Sequence, residues 1–329
     1  MYVNREVFVM KLKKILSAVL ALAAAAAGCT ALSSCSSQKN GYKIGVCQLV
    51  EHDALDAATK GFTDYLTEKL GDQVTIDVKL AQGELTNCTT IVNGFVSSGV
   101  DLIMGNATNA VKAAREATDT IPVIGTSVTD YVSTGIVASD EKPGANVTGV
   151  SDNNPVAVQV KLMQTLCPDV KTVGIVFCSG EENSHIQAEE AKTAFEAQGF
   201  TVKLYTVADS NEIQSVVTKA CSEVDAFYEP TDNLIASNVS AMSNVTTPAG
   251  KPVFTAEEGM CKAGFLATYS ISYYEIGRRA GEMAYDILVN GKNPGDIPIY
   301  HFDTDSLNLV INEENAKELG IEIPAELAK

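Results

Sequence analysis

The chain has 329 residues, 46% hydrophobic, 20% charged and 6% aromatic, the composition of a folded protein with little room for long disorder. Lys and Arg number 24 against 41 Asp and Glu; residues 1–34 carry a local +3, so the formal −17 leaves −20 on the rest. That charge argues against nucleic-acid binding, no apolar run beyond residue 30 is long enough to span a bilayer, and the length suits two packed domains better than one.

Lys11, Lys13 and Lys14 precede the apolar run Ile15 to Leu22 and the alanines Ala23 to Ala27. A basic start, a short apolar core and small residues form a bacterial export signal over residues 1–34, and a start at Met10 gives it the more usual basic region. Leu32-Ser-Ser-Cys35 then resembles a lipoprotein box, with Cys29 after Ala26-Ala27-Gly28 as the alternative. The resemblance implies cleavage before the cysteine and acylation of its thiol and new amino group. More than one acyl chain anchors stably where a single one is marginal. Residues 35–41 are then a polar, lipidated tether at the outer face of the membrane. A secretory peptide that is simply removed, or a true membrane anchor, are the other readings.

From Tyr42 the pattern alternates. Lys43 to Gln48 reads as a buried strand, and Leu55, Ala58, Phe62, Leu66 and Leu70 recur at helical spacing, with Asp53 placed to cap and Gly71 to stop. Val74 to Leu80 is a strand, Leu85 to Ser98 a helix, Asp101 to Gly105 a strand, and a helix follows Thr108 before the strand Ile121 to Gly125. The order repeats with strand Val173 to Phe177, helix Asn183 to Gln198, strand Thr201 to Tyr205, helix Ile213 to Cys221 and strand Asp225 to Tyr228. A helix from Asn233 and the strand Lys251 to Phe254 complete the second set. Ser184 with Gln187, and Asp209 with Glu212, have capping-box spacing. Landmarks of the two sets are offset by 129 (Gly45 to Gly174), 124 (Asp101 to Asp225) and 130 residues (Pro122 to Pro252).

Two βα units of this size predict an α/β protein of two doubly wound parallel-sheet lobes. The tail reads as strand Phe265 to Tyr269, helix Tyr274 to Leu288, strands Ile297 to Phe302 and Leu307 to Ile311, and a short helix from Glu313. These pieces cross back, so that 42–150 with about 269–296 make lobe 1 and 151–268 with about 303–329 make lobe 2. Crossovers at about 149–154, 265–272 and 302–308 form a hinge. The body cysteines, Cys47, Cys88, Cys167, Cys178, Cys221 and Cys261, have no metal spacing and read as free, mostly buried thiols.

In open α/β sheets a ligand sits beyond the carboxyl ends of the strands, where helix N-termini point. Those ends carry Gln48 and His52, Asn106 to Asn109, Thr126-Ser127, Ser179 to Ser184, Pro230 to Asn233, and Glu257. Hydroxyls and free amides suit a carboxylate, and a lone acid such as Asp232 suits an ammonium; a free amino acid presents both. Thr108, Ser184 and Asp232 also suit plain helix capping. His52, His185 and His301 have no metal-site spacing, and no metal or cofactor is expected. Tyr131, Tyr228 and Tyr269 are candidates for stacking on an aromatic ligand, or for the core.

Gln48 through Asp56 with Gly61-Phe62, Ala107-Thr108, Ile121-Pro-Val, Pro143 through Ser151, Glu182-Asn-Ser184, Pro230-Thr-Asp-Asn233 and a tail of Ile311-Asn312, Ala316, Leu319-Gly-Ile321 and Pro324 resemble one family. It is the ABC-transporter substrate-binding lipoproteins that include tryptophan- and tyrosine-binding members. The likeness spans about residues 42–327, and Asp53 departs from it where the family commonly has proline. It implies a type I periplasmic-binding-protein fold, and delivery of the ligand to a membrane permease driven by a separate ATPase. By position it implies carboxylate contacts at Thr108 and Ser127, an ammonium partner at Asp232, polar contacts at Asn154 and Asn183, and a lobe 1 border of Gln48, His52 and Leu55. Ser184, Asn233, Glu257 and Tyr269 complete the expected binding set.

Catalysis is not expected: no G-x-S-x-G, H-E-x-x-H or G-x-G-x-x-G occurs, and Ser127 lacks the glycine of a nucleophile elbow. Without a G-x-x-x-x-G-K-[ST] loop the chain cannot power transport itself. Capture of a small zwitterion, an aromatic amino acid first, is the leading reading, and a sensory surface lipoprotein on the same fold is the alternative.

Overall fold

The computed structural model describes residues 41–327; the expected export signal, Cys29, Cys35 and the expected tether as far as Asn40 lie outside these residues. The first lobe is a parallel sheet of β1 (Tyr42–Gln48), β2 (Val74–Leu80), β3 (Leu102–Asn106), β4 (Val123–Val128) and β5 (Val147–Ser151), in the order β2-β1-β3-β4-β5. Alternation along the strands divides its core into two layers. Ile44 and Val46 of β1, Leu102 and Met104 of β3, and Ile124 of β4 face α1 (Asp53–Leu70) and α10 (Tyr273–Leu288). Cys47, Ile103 and Val123 face the other way, against α2 (Leu85–Ser98) and α3 (Thr108–Ala117).

The second lobe repeats the plan. β6 (Thr172–Cys178), β7 (Thr201–Val207), β8 (Ala226–Glu229), β9 (Val253–Thr255), β10 (Ala267–Ser270) and β11 (Asn308–Ile311) take the order β11-β10-β9-β8-β6-β7, parallel except for the β10–β11 pair. The helices α4 (Val156–Leu166) and α5 (Glu182–Ala197) cover one face. The helices α6 (Ser210–Cys221) and α8 (Val239–Thr246) cover the other, with α7 (Asn233–Ala236), α9 (Glu258–Ala263) and α11 (Glu313–Glu318) as short connectors. β1, β2, β3 and β4 thus correspond to β6, β7, β8 and β9, the repeat visible in the sequence offsets. Among the described residues no helix is long and apolar enough to cross a membrane.

Several local expectations change. Val147–Ser151 is strand β5 rather than part of a crossover, which shortens the first connection to residues 152–155; α4 and α9 had no counterpart in the reading of the sequence. Ile297 to Phe302 does not form a strand: Pro298 has no N–H to give, and only Tyr300 makes a bridge, to Val150. β10 lies in the second sheet, so the chain returns to the first lobe at Tyr273 rather than near residue 269. The cap position of α1 is His52 and Asp53 is its first helical residue. Ser184 and Gln187 form no capping box, because α5 starts at Glu182 and both side chains turn inward to Thr231. Asp209 does accept from Asn211 N, while Glu212 accepts from Ala208 N. The helix from Asn233 is two helices, broken at Ser237-Asn238.

The closest approach of the returning chain to lobe 1 is between two helices. A Cβ on Gly277 of α10 would lie 1.9 Å from Ala58 O of α1, and one on Gly61 of α1 would lie 2.1 Å from Tyr274 O. Only bare backbone lets these helices come this close. Gly277→Ala is therefore expected to destabilise the protein by about 3 kcal/mol, the upper end for overpacking, measured by urea denaturation.

Candidate functional site

Both sheets reverse strand order between their first and third strands, and the polar strand ends of the sequence analysis converge beside these switch points. In lobe 1, β3 passes through Ala107 into α3, and β4 ends through Ser127. Ala107 and Ser127 have φ of 85° and 55°, left-handed values that cost side-chain-bearing residues about 1–3 kcal/mol each. Such strain clusters where backbone is shaped for a purpose other than stability.

A narrow cavity of about 20 Å³, room for a water-sized group, lies between the lobes. His52, Leu55 and Ser127 line it from lobe 1, and Asn183, Asp232, Asn233 and Glu257 from lobe 2. The sequence had pointed to all seven. Thr231, one of the strand-end polar groups, lines it too, and three further lining residues were not foreseen: Asp152, Ala236 and Tyr273. Among the described residues three polar side-chain contacts bridge the lobes: His52 Nε2 to Asn233 Oδ1 at 3.3 Å, the Thr129 and Thr231 hydroxyls at 3.0 Å, and the Lys112–Glu182 ion pair at 2.6 Å. A ligand as large as an amino acid enters only after these part.

The other expected residues stand elsewhere. Gln48 is buried behind the wall, where its amide donates to Asp56 Oδ1 at 2.6 Å and to Val50 O at 2.9 Å, holding the start of α1. Thr108 is buried at the first turn of α3, its hydroxyl without a partner. Asn154 donates to Ala256 O at 2.8 Å and ties the first crossover to lobe 2, while Ser184 donates to Thr231 O at 3.3 Å. Tyr269 lies on a separate groove of about 430 Å³ on lobe 2, beside Leu162 and Leu307. Tyr131 and Tyr228 are core residues, 1% exposed. The body cysteines are free thiols, four of them buried, as the scattered spacing suggested.

The acids of the cavity differ in what they have left to offer. Asp232 caps α7: its oxygens accept from Cys178 N at 2.6 Å and Ile235 N at 2.9 Å. Glu257 likewise caps α9 through Gly259 N and Met260 N, and burial pushes its carboxyl up to about 7. Behind Asn233, Glu181 accepts from the backbone of Asn233 and Leu234; burial first, and the neighbouring Asp232 second, raise it to about 7. Burial holds His52 below the usual histidine value. Asp152 accepts from the Tyr273 hydroxyl at 2.7 Å through Oδ2, but its Oδ1 has no hydrogen-bond partner, and burial lifts the carboxyl to about 6. The Ser127 hydroxyl is also buried without a partner. One open acceptor and one open hydroxyl thus border a shared space, complementary to a small molecule carrying an ammonium and a carboxylate.

Paired lobes closing over a polar cavity define a solute-binding protein. The model for the family described as ABC transporter substrate binding protein matches residues 43–329, and the chain belongs to that family. A protein of Clostridioides difficile (strain R20291) named tyrosine-binding protein is 36% identical over 95% of this chain and 94% of its own. A Streptococcus pneumonia ABC domain solved in complex with L-Trp is 39% identical, with TM-score 0.84 over 87% of this chain and 97% of its own. A ligand-free, open structure of a Clostridium difficile substrate binding protein with adhesive properties is 36% identical, with TM-score 0.67 over 86% and 96% of the two chains. At nearly equal identity the closer superposition is on the ligand-bound structure, in keeping with lobes that here touch across the cleft.

The raised carboxyl of Glu257 has a measurable consequence. A group whose value rises from 4.5 unfolded to about 7 folded contributes stability below pH 4.5 that is lost as pH rises through 7. Stability is expected to fall between pH 5 and pH 8, and Glu257→Gln to remove up to about 3 kcal/mol of that fall, measured as urea midpoints across pH.

Proposed function

We propose that this chain is the extracytoplasmic receptor of an ABC importer, that it captures a free amino acid between its lobes, aromatic ones first, and that it releases it unchanged to a permease driven by a separate ATPase. The observation that carries the reading is the cavity itself, where buried Asp152 Oδ1 and Ser127 Oγ are left without partners in a closed interlobe space. The names of the relatives support the choice of an aromatic side chain, since one is called tyrosine-binding and another holds L-Trp. Leu55 and Tyr273 supply flat or apolar wall, and Ala236 leaves room on the lobe 2 side.

Binding then works by differential contact. Ligand joins surfaces that the open protein leaves to water, so it stabilises the closed arrangement in proportion to its extra contacts there. Closure also creates the composite surface that a permease can read. We further propose that the protein is held to the outer face of the membrane by a lipid on Cys35, or on Cys29 in its place. Use of the same closure in sensing or adhesion at the cell surface is the second reading, favoured by the adhesive properties ascribed to a relative.

A thermal-shift screen of the twenty amino acids is expected to single out tyrosine or tryptophan, the stabilisation growing with concentration by mass action. Ser127→Ala is expected to weaken that binding by about tenfold in calorimetry, the loss of one hydrogen bond to a charged group. Recovery of the ligand unaltered after incubation separates capture from catalysis. For the anchor, Cys35→Ser is expected to move the protein from the detergent phase to the aqueous phase on Triton X-114 partitioning; unchanged partitioning transfers the assignment to Cys29.

A further inference from the structure

We propose that the ligand's ammonium is read by the hinge itself, through Asp152 with Tyr273 as its positioning partner. The inference deepens the amino-acid reading above and rests on it.

Asp152 opens the four-residue crossover 152–155 that carries the chain from β5 to α4. Its backbone N–H donates to Val128 O at 3.3 Å, at the end of β4, and two residues on Asn154 grips Ala256 O of lobe 2 at 2.8 Å. Its partner Tyr273 is the first residue of α10, directly after the second crossover, Ile271-Ser272. The 2.7 Å bond between the Tyr273 hydroxyl and Asp152 Oδ2 therefore joins two of the three lobe connections to one carboxylate. The second oxygen of that carboxylate belongs to a side chain only 3% exposed, lines the cavity and has no partner.

The other acids of the cleft are less suited. Both oxygens of Glu257 accept from backbone amides that start α9, and those of Asp232 accept from Ile235 N at the start of α7 and from Cys178 N at the end of β6. Glu229 is buried with neither oxygen bonded, but it does not line the cavity. Among the acids of the described residues, Asp152 alone combines an unbonded oxygen with a place on the cavity wall. A carboxylate left half-paired in a low-dielectric site is costly, and a cation delivered to it removes that cost only in the closed arrangement, where the cavity is complete. The ammonium of the ligand thereby biases the crossovers toward closure, and by linkage closure raises affinity for ligands that carry one.

The test is calorimetry on the full chain with each L-amino acid that binds, beside the acid that lacks only its amino group. The wild type is expected to prefer the amine by about 100-fold, the size set by leaving a buried charge unpaired, and Asp152→Asn to bring the two within about threefold. An undiminished preference in Asp152→Asn overturns the proposal. A pH series supplies a check that holds even if that variant does not fold. Asp152 must be ionised to pair with the ligand, so wild-type affinity is expected to fall as pH drops through about 6. Tyr273→Phe removes the donor that favours the charged form and is expected to move this acid limb to higher pH; a limb that stays in place overturns the proposal. The other titratable or hydrogen-bonding groups facing Asp152 are Tyr131 and Thr129 from beyond β4 and Glu257 from the start of α9, with His52 and Asp232 across the cavity. All of these are common to wild type and variant. If no amino acid binds the wild type at all, the functional reading itself has failed, an outcome distinct from a hinge that binds but does not discriminate.

Discussion

A carboxylate taken out of water needs a proton, a cation or a set of N–H donors, and the cleft of this protein is organised around that requirement. Glu181, Asp232 and Glu257 meet it with backbone amides at the starts of short helices. Their bonds shape the lobe 2 wall: Asp232 and Glu181 together fix the turn into α7, and Glu257 fixes α9. Asp152 meets the requirement only in part, with the Tyr273 hydroxyl on Oδ2 and Thr129 nearby, and its Oδ1 is left without a bond. The walls are thus finished electrostatically, and the hinge is the place where charge remains to be answered.

This division matters because, besides the packing of α9 at Gly259 against the start of α1, the described side-chain contacts across the cleft are few and polar. Each has its own layered core, and the apolar clusters stay within a lobe rather than spanning the two. The bridging contacts are a histidine–asparagine bond, a pair of threonine hydroxyls and a part-exposed ion pair. Such contacts are each worth about 1 kcal/mol or less, so a ligand that adds a few strong bonds in the closed state governs the balance.

The repeat and its strand-helix alternation were legible because they rest on local signals. Buried parallel strands read as short apolar runs, amphipathic helices as a 3.6-residue period, and the matched landmarks lie 124 to 130 residues apart. β5 escaped because Val147–Ser151 is short, contains Gly149 and sits in a stretch read as a linker. α4 escaped because its eleven residues follow Pro155 without a side-chain cap to mark the start. Among the site residues, seven of the strand-end polar groups do line the cavity. Gln48 and Ser184 are equally polar and equally close in sequence, yet they spend their hydrogen bonds inside a lobe.

Asp152 and Tyr273 lie 121 residues apart, and nothing local to either marks them as partners. The sequence by itself determined the architecture, the inventory of polar groups at the strand ends and the sign of the charge, since each depends on residue type and short-range periodicity. Only the tertiary structure decided which of those groups are satisfied by backbone amides and which are left open, because satisfaction depends on distances between elements remote in the chain. It also showed that the open acid, Asp152, directly follows the carboxyl end of β5, the strand that the sequence reading missed.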